Sequence, residues 1–309
     1  MTGPHRPARR QDYDYIIVGA GSPGCVLANR LSTDPGIRVL LLEAGPRDWH
    51  PFIHMPAGLA KLVNRKGINW NYDTAAEPQL NGRRLWWPRG KVLGGSSSIN
   101  AMCYIRGVPA DYDDWARLGA HGWSWSEVLP YFRRSEGNTR GADALHGGDG
   151  PLGVTDLRHH NPLSDVFIAA AQQAGHRHNP DFNGPVQEGV GLYQVTQRDG
   201  ARCSAAVAYL APARGRANLH VVTGARARPI LGRRGGAGGG SARARGVAWR
   251  MRGGEQQAQA TREVLLCGGA INSPQLLMLS GIGPAMDLRR QGLSVVHDAP
   301  GVGANLQDH

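Results

Sequence analysis

The chain has no apolar run long enough to span a bilayer, so no transmembrane helix is expected. Its first residues, Met1 to Gln11, are polar and basic and have no apolar core. That excludes a secretory signal and predicts a disordered basic leader over residues 1–11. Cysteine is scarce: Cys25, Cys103, Cys203 and Cys267 lie far apart and form no C-x-x-C. This excludes a zinc site or a disulfide scaffold and predicts buried or half-buried free thiols in a reduced, cytoplasmic setting. His159 and His160 are adjacent, with no carboxylate at ligand spacing, so no metal site is expected there. Lysine and acid are both missing from residues 200–254, which carry 11 arginines. Outside that stretch 24 basic residues balance 24 acidic ones, so the net charge of +11 sits wholly within it. The aromatic residues among these arginines do not alternate with them in the pattern that nucleic-acid stacking uses, and no nucleic-acid partner is expected. A solvated face, or one turned toward acids of a longer parent protein, is the plainer reading. Contact with an anionic membrane through 200–254 is the alternative.

What is there starts with residues 13–43. Tyr13 to Val18 reads as a strand, Gly19-Ala20-Gly21-Ser22-Pro23-Gly24 as a glycine turn, Leu27 to Leu31 as helix, and Arg38 to Leu42 as a second strand ending at Glu43. A G-x-G-x-x-G in this strand–turn–helix context is a dinucleotide fingerprint. Gly19 permits the tight turn, Gly21 lets a pyrophosphate approach the backbone, and Gly24 lets the helix pack against the strand. Ser22 suits an N-cap and Pro23 the first helical position, so free N–H groups at the helix start face the phosphates. Glu43 lies 19 residues beyond Gly24, near the spacing of the acid that holds a ribose hydroxyl. Ala44 follows it into a turn at Gly45-Pro46. The fingerprint leaves NAD, NADP and FAD open.

Residues 49–125 hold seven of the eight tryptophans and little periodicity. They read as long loops and short helices, with core packing the common explanation and a tryptophan-rich lid the alternative. A helix begins at Trp125, with Ser126 as its cap. Asn161 to Gly175 is an amphipathic helix carrying Leu163, Val166, Phe167, Ala170 and Ala174 on one stripe. Ser204 to Leu210 is a further helix. Leu219–Val222, Gly246–Trp249 and Glu263–Cys267 are strands, and the Gly- and Arg-rich run 232–246 is a flexible hairpin tip. Ser273-Pro274 opens a helix that stops at Gly281. This second strand–glycine–helix unit predicts a return to the first, parallel sheet.

Two more segments narrow the ligand. Gly90-Lys91-Val92-Leu93-Gly94-Gly95-Ser96-Ser97-Ser98-Ile99-Asn100, continuing to Gly107, resembles the first signature of the glucose–methanol–choline (GMC) flavin oxidoreductases. Gly269 to Gly283 resembles the second, and Gly301 to His309 the segment that follows. The similarity runs in order from about Asp12 to His309, and is strongest to the choline and alcohol dehydrogenase branch. The resemblance implies an α/β fold with a Rossmann-like FAD-binding domain and the first part of an α+β substrate domain. The domain bounds expected are 12–157 with 204–309 for FAD, cap or lid loops over 46–125, and 158–203 for the start of the substrate domain. Gly94-Gly95 clears side chains from a flat ring. Ser96 and Asn100 offer short donors. The resemblance places Val92, Gly95 and the backbone of Asn100, Ala101, Met102 and Cys103 along the flavin, and Ala227 at the adenine. Where some relatives attach FAD through a histidine this chain has Ile99, so FAD is expected to be non-covalent.

The resemblance also implies oxidation of a small-molecule alcohol or choline to an aldehyde by hydride transfer to flavin N5, with a histidine base. That base is expected beyond His309, so no catalytic residue is assigned here and the chain is expected to be inactive alone. The electron acceptor is not indicated. Alternatives are a non-redox hydroxynitrile lyase-like relative that keeps FAD, and a flavin-binding remnant without activity. A NAD-dependent dehydrogenase is disfavoured by residues 90–107 and 269–283.

Overall fold

Strand-forming runs that are apolar throughout belong in a sheet covered on both faces. Val39–Leu42 is such a run, and with Glu43 it forms a strand whose five residues are all buried. In the computed structural model, which describes residues 11–233 and 243–307, it lies in a six-stranded sheet. The order across the sheet is Arg226–Arg233, Arg243–Met251, Gly254–Leu266, Gln11–Val18, Val39–Glu43, Leu219–Thr223. The last four strands run parallel, with Val18 opposite both Leu266 and Leu42. The first three form an antiparallel meander. The predicted return to the first sheet is therefore found, as is the predicted hairpin. Residues 234–242 of its tip lie outside the described residues, as do residues 1–10 of the expected leader. Gln11, the leader's last residue, is instead the first of the central strand.

The helices show why spacing alone misplaces caps. The first helix is Ser22–Leu31, and its N-cap is Gly21, not Ser22. The Gly21 carbonyl accepts the Cys25 N–H at 2.9 Å, which shifts the start by one residue. The helix Trp125–Ser135 is capped by Ser124, not Ser126. Ser124 donates from both its N–H and its hydroxyl to Glu127, the Ser-x-x-Glu pairing that position 126 lacks. The helix Gly269–Leu279 starts at the glycines that leave the sheet, and Ser273-Pro274 falls inside it.

The chain divides into two compact units. One takes the residues up to Trp49, Lys61–Ile99 and everything from Ala205 onward; it contains the whole sheet. The other takes His50–Ala60 and Asn100–Ser204. The seam at 204/205 lies one residue from the expected 203/204. The other main seam lies at 99/100, where the sequence reading placed 157/158. The second unit holds the helices Pro109–Arg117, Trp125–Ser135 and Pro162–Gln173 but little sheet. Its strands are two or three residues long, among them Glu136–Asn138 paired with Leu152–Val154. Its helix Pro162–Gln173 has no buried residue. Leu163, Val166 and Phe167 form the predicted stripe but are 70%, 62% and 69% exposed. Among the described residues, no helix is long and apolar enough to cross a membrane.

Candidate functional site: a nucleotide cradle at the strand ends

Parallel strands deliver their loops to one edge, and ligands settle where the strand order reverses. Here the reversal lies beside Gln11–Val18, and a cavity of about 330 Å³ opens there, at the low end of the usual ligand range of roughly 300–1,000 Å³. Its walls include Gly19, Gly21, Ser22, Glu43, Ala44, Gly95, Ser96 and Ala227. These eight positions, far apart in sequence, were each expected to touch a cofactor.

Hydrogen bonds from strand ends stitch the cradle together. Gly19 N–H donates to Leu42 O at 2.8 Å, Cys267 N–H to Val18 O at 2.7 Å, and Gly94 N–H to Ala20 O at 2.8 Å. Contact requires glycine at several positions of the cradle, Gly24 and Gly95 among them. A Cβ on Gly24 would lie 1.9 Å from the Gly19 carbonyl oxygen, so the helix approaches the turn only without one. Gly95 has φ +56°, and its Cβ would meet the Gly21 Cα at 2.7 Å. Gly21 differs: a Cβ there would have only the Cys267 carbonyl oxygen near it, at 3.9 Å, and the residue lines the cavity. That open approach is what a pyrophosphate needs.

Glu43 is 6% exposed, and both its oxygens are engaged. Ala20 N–H donates to Oε2 at 2.9 Å and Gly45 N–H to Oε1 at 2.7 Å. Burial pushes its carboxyl up to about 6, against the pull of those N–H groups and of Lys91. Each oxygen keeps a lone pair for a hydroxyl donor.

The expected positions Gly24 and Val92 do not line the cavity. Gly24 packs behind the turn, and Val92 is fully buried with its carbonyl accepting the Gly95 N–H. Asn100, Ala101, Met102 and Cys103 belong to the second unit. Four lining side chains escaped the sequence reading: Trp70, Tyr72, Arg89 and Arg226. Trp70 and Tyr72 stack with centroids 5.8 Å apart, and Lys91 Nζ lies 4.8 Å from the Trp70 ring centre. The Tyr72 hydroxyl donates to Asn272 Oδ1 at 2.6 Å, joining the tryptophan-rich stretch to the return helix. The signal was an aromatic pair two residues apart, but Asn71 between them has φ +52°, so strand alternation does not account for their stacking.

A family model described as GMC oxidoreductase matches residues 13–309. The chain belongs to the GMC oxidoreductase family. This GMC chain is 52% identical over 300 residues to alcohol dehydrogenase (acceptor) of Pseudomonas putida, covering 96% of this chain and 53% of that protein. It is 50% identical over 309 residues to the mitochondrial choline dehydrogenase of Homo sapiens, covering 97% of this chain and 50% of that one. Among solved structures it resembles pyridoxine 4-oxidase from Mesorbium loti, with 38% identity and a TM-score of 0.86 over 93% of this chain and 55% of that one. The chain thus spans about half the length of the curated relatives it matches.

Proposed function

We propose that this chain is the cofactor-holding half of a GMC oxidoreductase, that its cofactor is FAD, and that the whole protein oxidises a small alcohol or choline to the aldehyde. One observation carries the reading: eight residues picked out for cofactor contact line a single cavity at the strand ends. The residues present fit the ADP part of FAD. The Gly21 backbone and the start of the helix Ser22–Leu31 receive the pyrophosphate, because the first N–H groups of a helix have no partner within it. The Glu43 carboxylate accepts from ribose hydroxyls, and the backbone at Ala227 meets the adenine. When bound, FAD supplies the hydride acceptor. Ser96 and the Gly95 backbone serve the flavin part. Ile99 carries no nucleophile, so the cofactor is held without a bond to that position.

No residue of 1–309 is assigned the proton-accepting role, and we expect this chain to hold FAD without oxidising an alcohol. The small-molecule alcohol and an unspecified electron acceptor are partners of the whole protein. A reduced cytoplasmic setting is consistent with four free cysteines. The test is to purify the chain with FAD and precipitate it with acid. Flavin should stay in the supernatant, and alcohols should not bleach it beforehand. A colourless preparation that takes up no FAD would overturn the reading; colour in the pellet would overturn non-covalent attachment.

A further inference from the structure

One wall of the cavity owes nothing to the glycine fingerprint. It is built around Asn69-Trp70-Asn71-Tyr72, and it is held more firmly than a surface loop needs. Asn69 is 2% exposed. Its Oδ1 accepts the Asn71 N–H and the Arg89 N–H, both at 2.9 Å, and its Nδ2 donates to the Val63 carbonyl. The Trp70 N–H donates to the Arg89 carbonyl at 2.9 Å, so the segment is tied on both sides of the indole. Asn71 takes the chain through the left-handed region, which asparagine enters more readily than most residues. The rings on either side of it, Trp70 and Tyr72, end up 9° from parallel. The Tyr72 hydroxyl then fastens the pair to Asn272, on the helix Gly269–Leu279.

The sheet says which part of a ligand this wall would meet. A pyrophosphate at Gly21 and a ribose on Glu43 direct the base past the end of the strand Val39–Glu43. The segment beyond that end is Gly224 to Ala227, and it hangs on the strand by its backbone. Ala225 N–H donates to the Glu43 carbonyl at 2.8 Å, and Gly224 N–H to the Gly45 carbonyl at 2.9 Å. Arg226, in the same segment, carries its guanidinium to within 5.8 Å of the Trp70 ring centre. Trp70, Arg226 and Ala227 all line the cavity, so the indole stands at its base end. Every residue of this wall lies in the unit that carries the sheet. Arg226 is exposed, and an exposed cation–π contact is weaker than base–aromatic stacking, so its guanidinium gives way as a base arrives.

We propose that Trp70 is a base-binding residue: the nucleobase of the bound dinucleotide stacks against its indole, and Tyr72, through Asn272, is the positioning residue that holds the indole in place. The base class this favours is a purine, whose two fused rings cover more of an indole than the single ring of a pyrimidine. The proposal rests on the reading that this cavity holds a dinucleotide.

The experiment titrates ADP and CDP, which share ribose and diphosphate and differ in the base, into the full chain freed of flavin. Calorimetry gives the two affinities for the wild type, Trp70→Leu, Trp70→Phe, Tyr72→Phe and Trp49→Leu. Trp49 is the control: it lies in the same unit, is 72% exposed and does not line the cavity. The wild type should prefer ADP. Trp70→Leu keeps apolar bulk but loses the flat ring, and should weaken ADP by about ten- to a hundredfold while narrowing its lead over CDP. Trp70→Phe should keep most of that lead. Tyr72→Phe loses only the hydroxyl that reaches Asn272, and should weaken ADP by about fivefold, again with a narrower lead. Trp49→Leu should change neither affinity. If Trp70→Leu weakens ADP and CDP by equal factors, or leaves both as they were, the proposal is overturned. Where Trp70→Leu does not fold, an unchanged ratio of the two affinities in Tyr72→Phe overturns it. A wild-type chain that binds neither nucleotide and takes up no FAD would instead overturn the reading beneath it.

Discussion

In the unit that carries the sheet, the largest side chains without exposed surface are apolar: Ile16, Ile17, Leu40, Leu41 and Leu42 are each at or below 1%. In the other unit Ile53 and Val154 at 0% share the interior with Glu136 at 0%, Arg202 at 2%, and Asn138, His146 and Gln194 at 5%. The first interior is made by burying hydrocarbon, which is non-directional and tolerant of shape. The second is made by satisfying buried charge, which is directional and intolerant of loss. Burial pushes the Arg202 guanidinium down to about 10, the cost of holding a charge away from water. A cradle for a flexible nucleotide can be built from adaptable packing. A unit with little sheet, which must hold its loops in place, calls for the other kind.

The largest expected effect breaks the second interior. Glu136→Ala should destabilise the chain by about 3–5 kcal/mol, because Arg106, its ion-pair partner, is left charged and unpaired in a buried site. Leu41→Ala should lose a similar amount, about 2–5 kcal/mol, through a cavity. The isosteric pair separates the two units. Leu41→Met should cost less than about 1.5 kcal/mol. Glu136→Gln keeps the shape but not the charge, and should still cost about 3 kcal/mol. Urea denaturation of the four variants measures all of this; equal losses for the two isosteric changes would erase the distinction between the interiors.

The same difference explains what the sequence made legible. Ile16 to Val18, Leu40 to Leu42 and Gly19 to Gly24 announce themselves, because periodicity and glycine spacing are local. Glu43 was legible for the same reason, being a fixed distance from the turn. Trp70 and Tyr72 were visible only as members of an aromatic-rich stretch, since nothing local says which side they face. Glu136, Asn138, His146 and Gln194 carried no signal at all. Their side-chain partners lie 2 to 56 residues away, and an isolated Glu or Asn in a loop looks like a solvated one. The stripe Leu163–Val166–Phe167 was read correctly as a pattern but not as a burial: periodicity specifies a face, and nothing among the described residues of its own unit covers it.

Glu43 is an exception within the apolar unit, and pH tests it. Its carboxyl is raised to about 6 from an ordinary 4.5, with burial as the main cause. The native chain therefore holds a proton there that the unfolded chain has released. Its contribution to stability is full below pH 4.5 and is lost as pH rises through about 6. FAD affinity should run the opposite way, falling as pH drops below about 6, because the carboxylate is the form that accepts two N–H groups and ribose hydroxyls together. Thermal melts without flavin and flavin titrations, each across pH 4.5 to 7, should thus slope in opposite directions. Glu43→Gln should flatten both and weaken FAD binding, since an amide cannot accept from Ala20 and Gly45 at once. Parallel slopes would mean that the carboxylate is not in the ligand's path.

The smallest effect concerns thiols, and it compares the two units atom by atom. Cys25 and Cys267 lie in the apolar unit, and burial pushes their thiols up to about 12 and about 11. A thiol at about 11 is roughly a thousandth thiolate at pH 8, so neither should alkylate while the chain is folded. In the polar unit Cys203 is 1% exposed and accepts the Gly153 N–H at 3.3 Å, which should protect it by enclosure. Cys103 alone is exposed. Iodoacetamide followed by peptide mass spectrometry should therefore mark Cys103 first, with the other three marked only after unfolding. Labelling of Cys25, Cys203 or Cys267 in the folded chain as fast as that of Cys103 would mean that enclosure does not protect them.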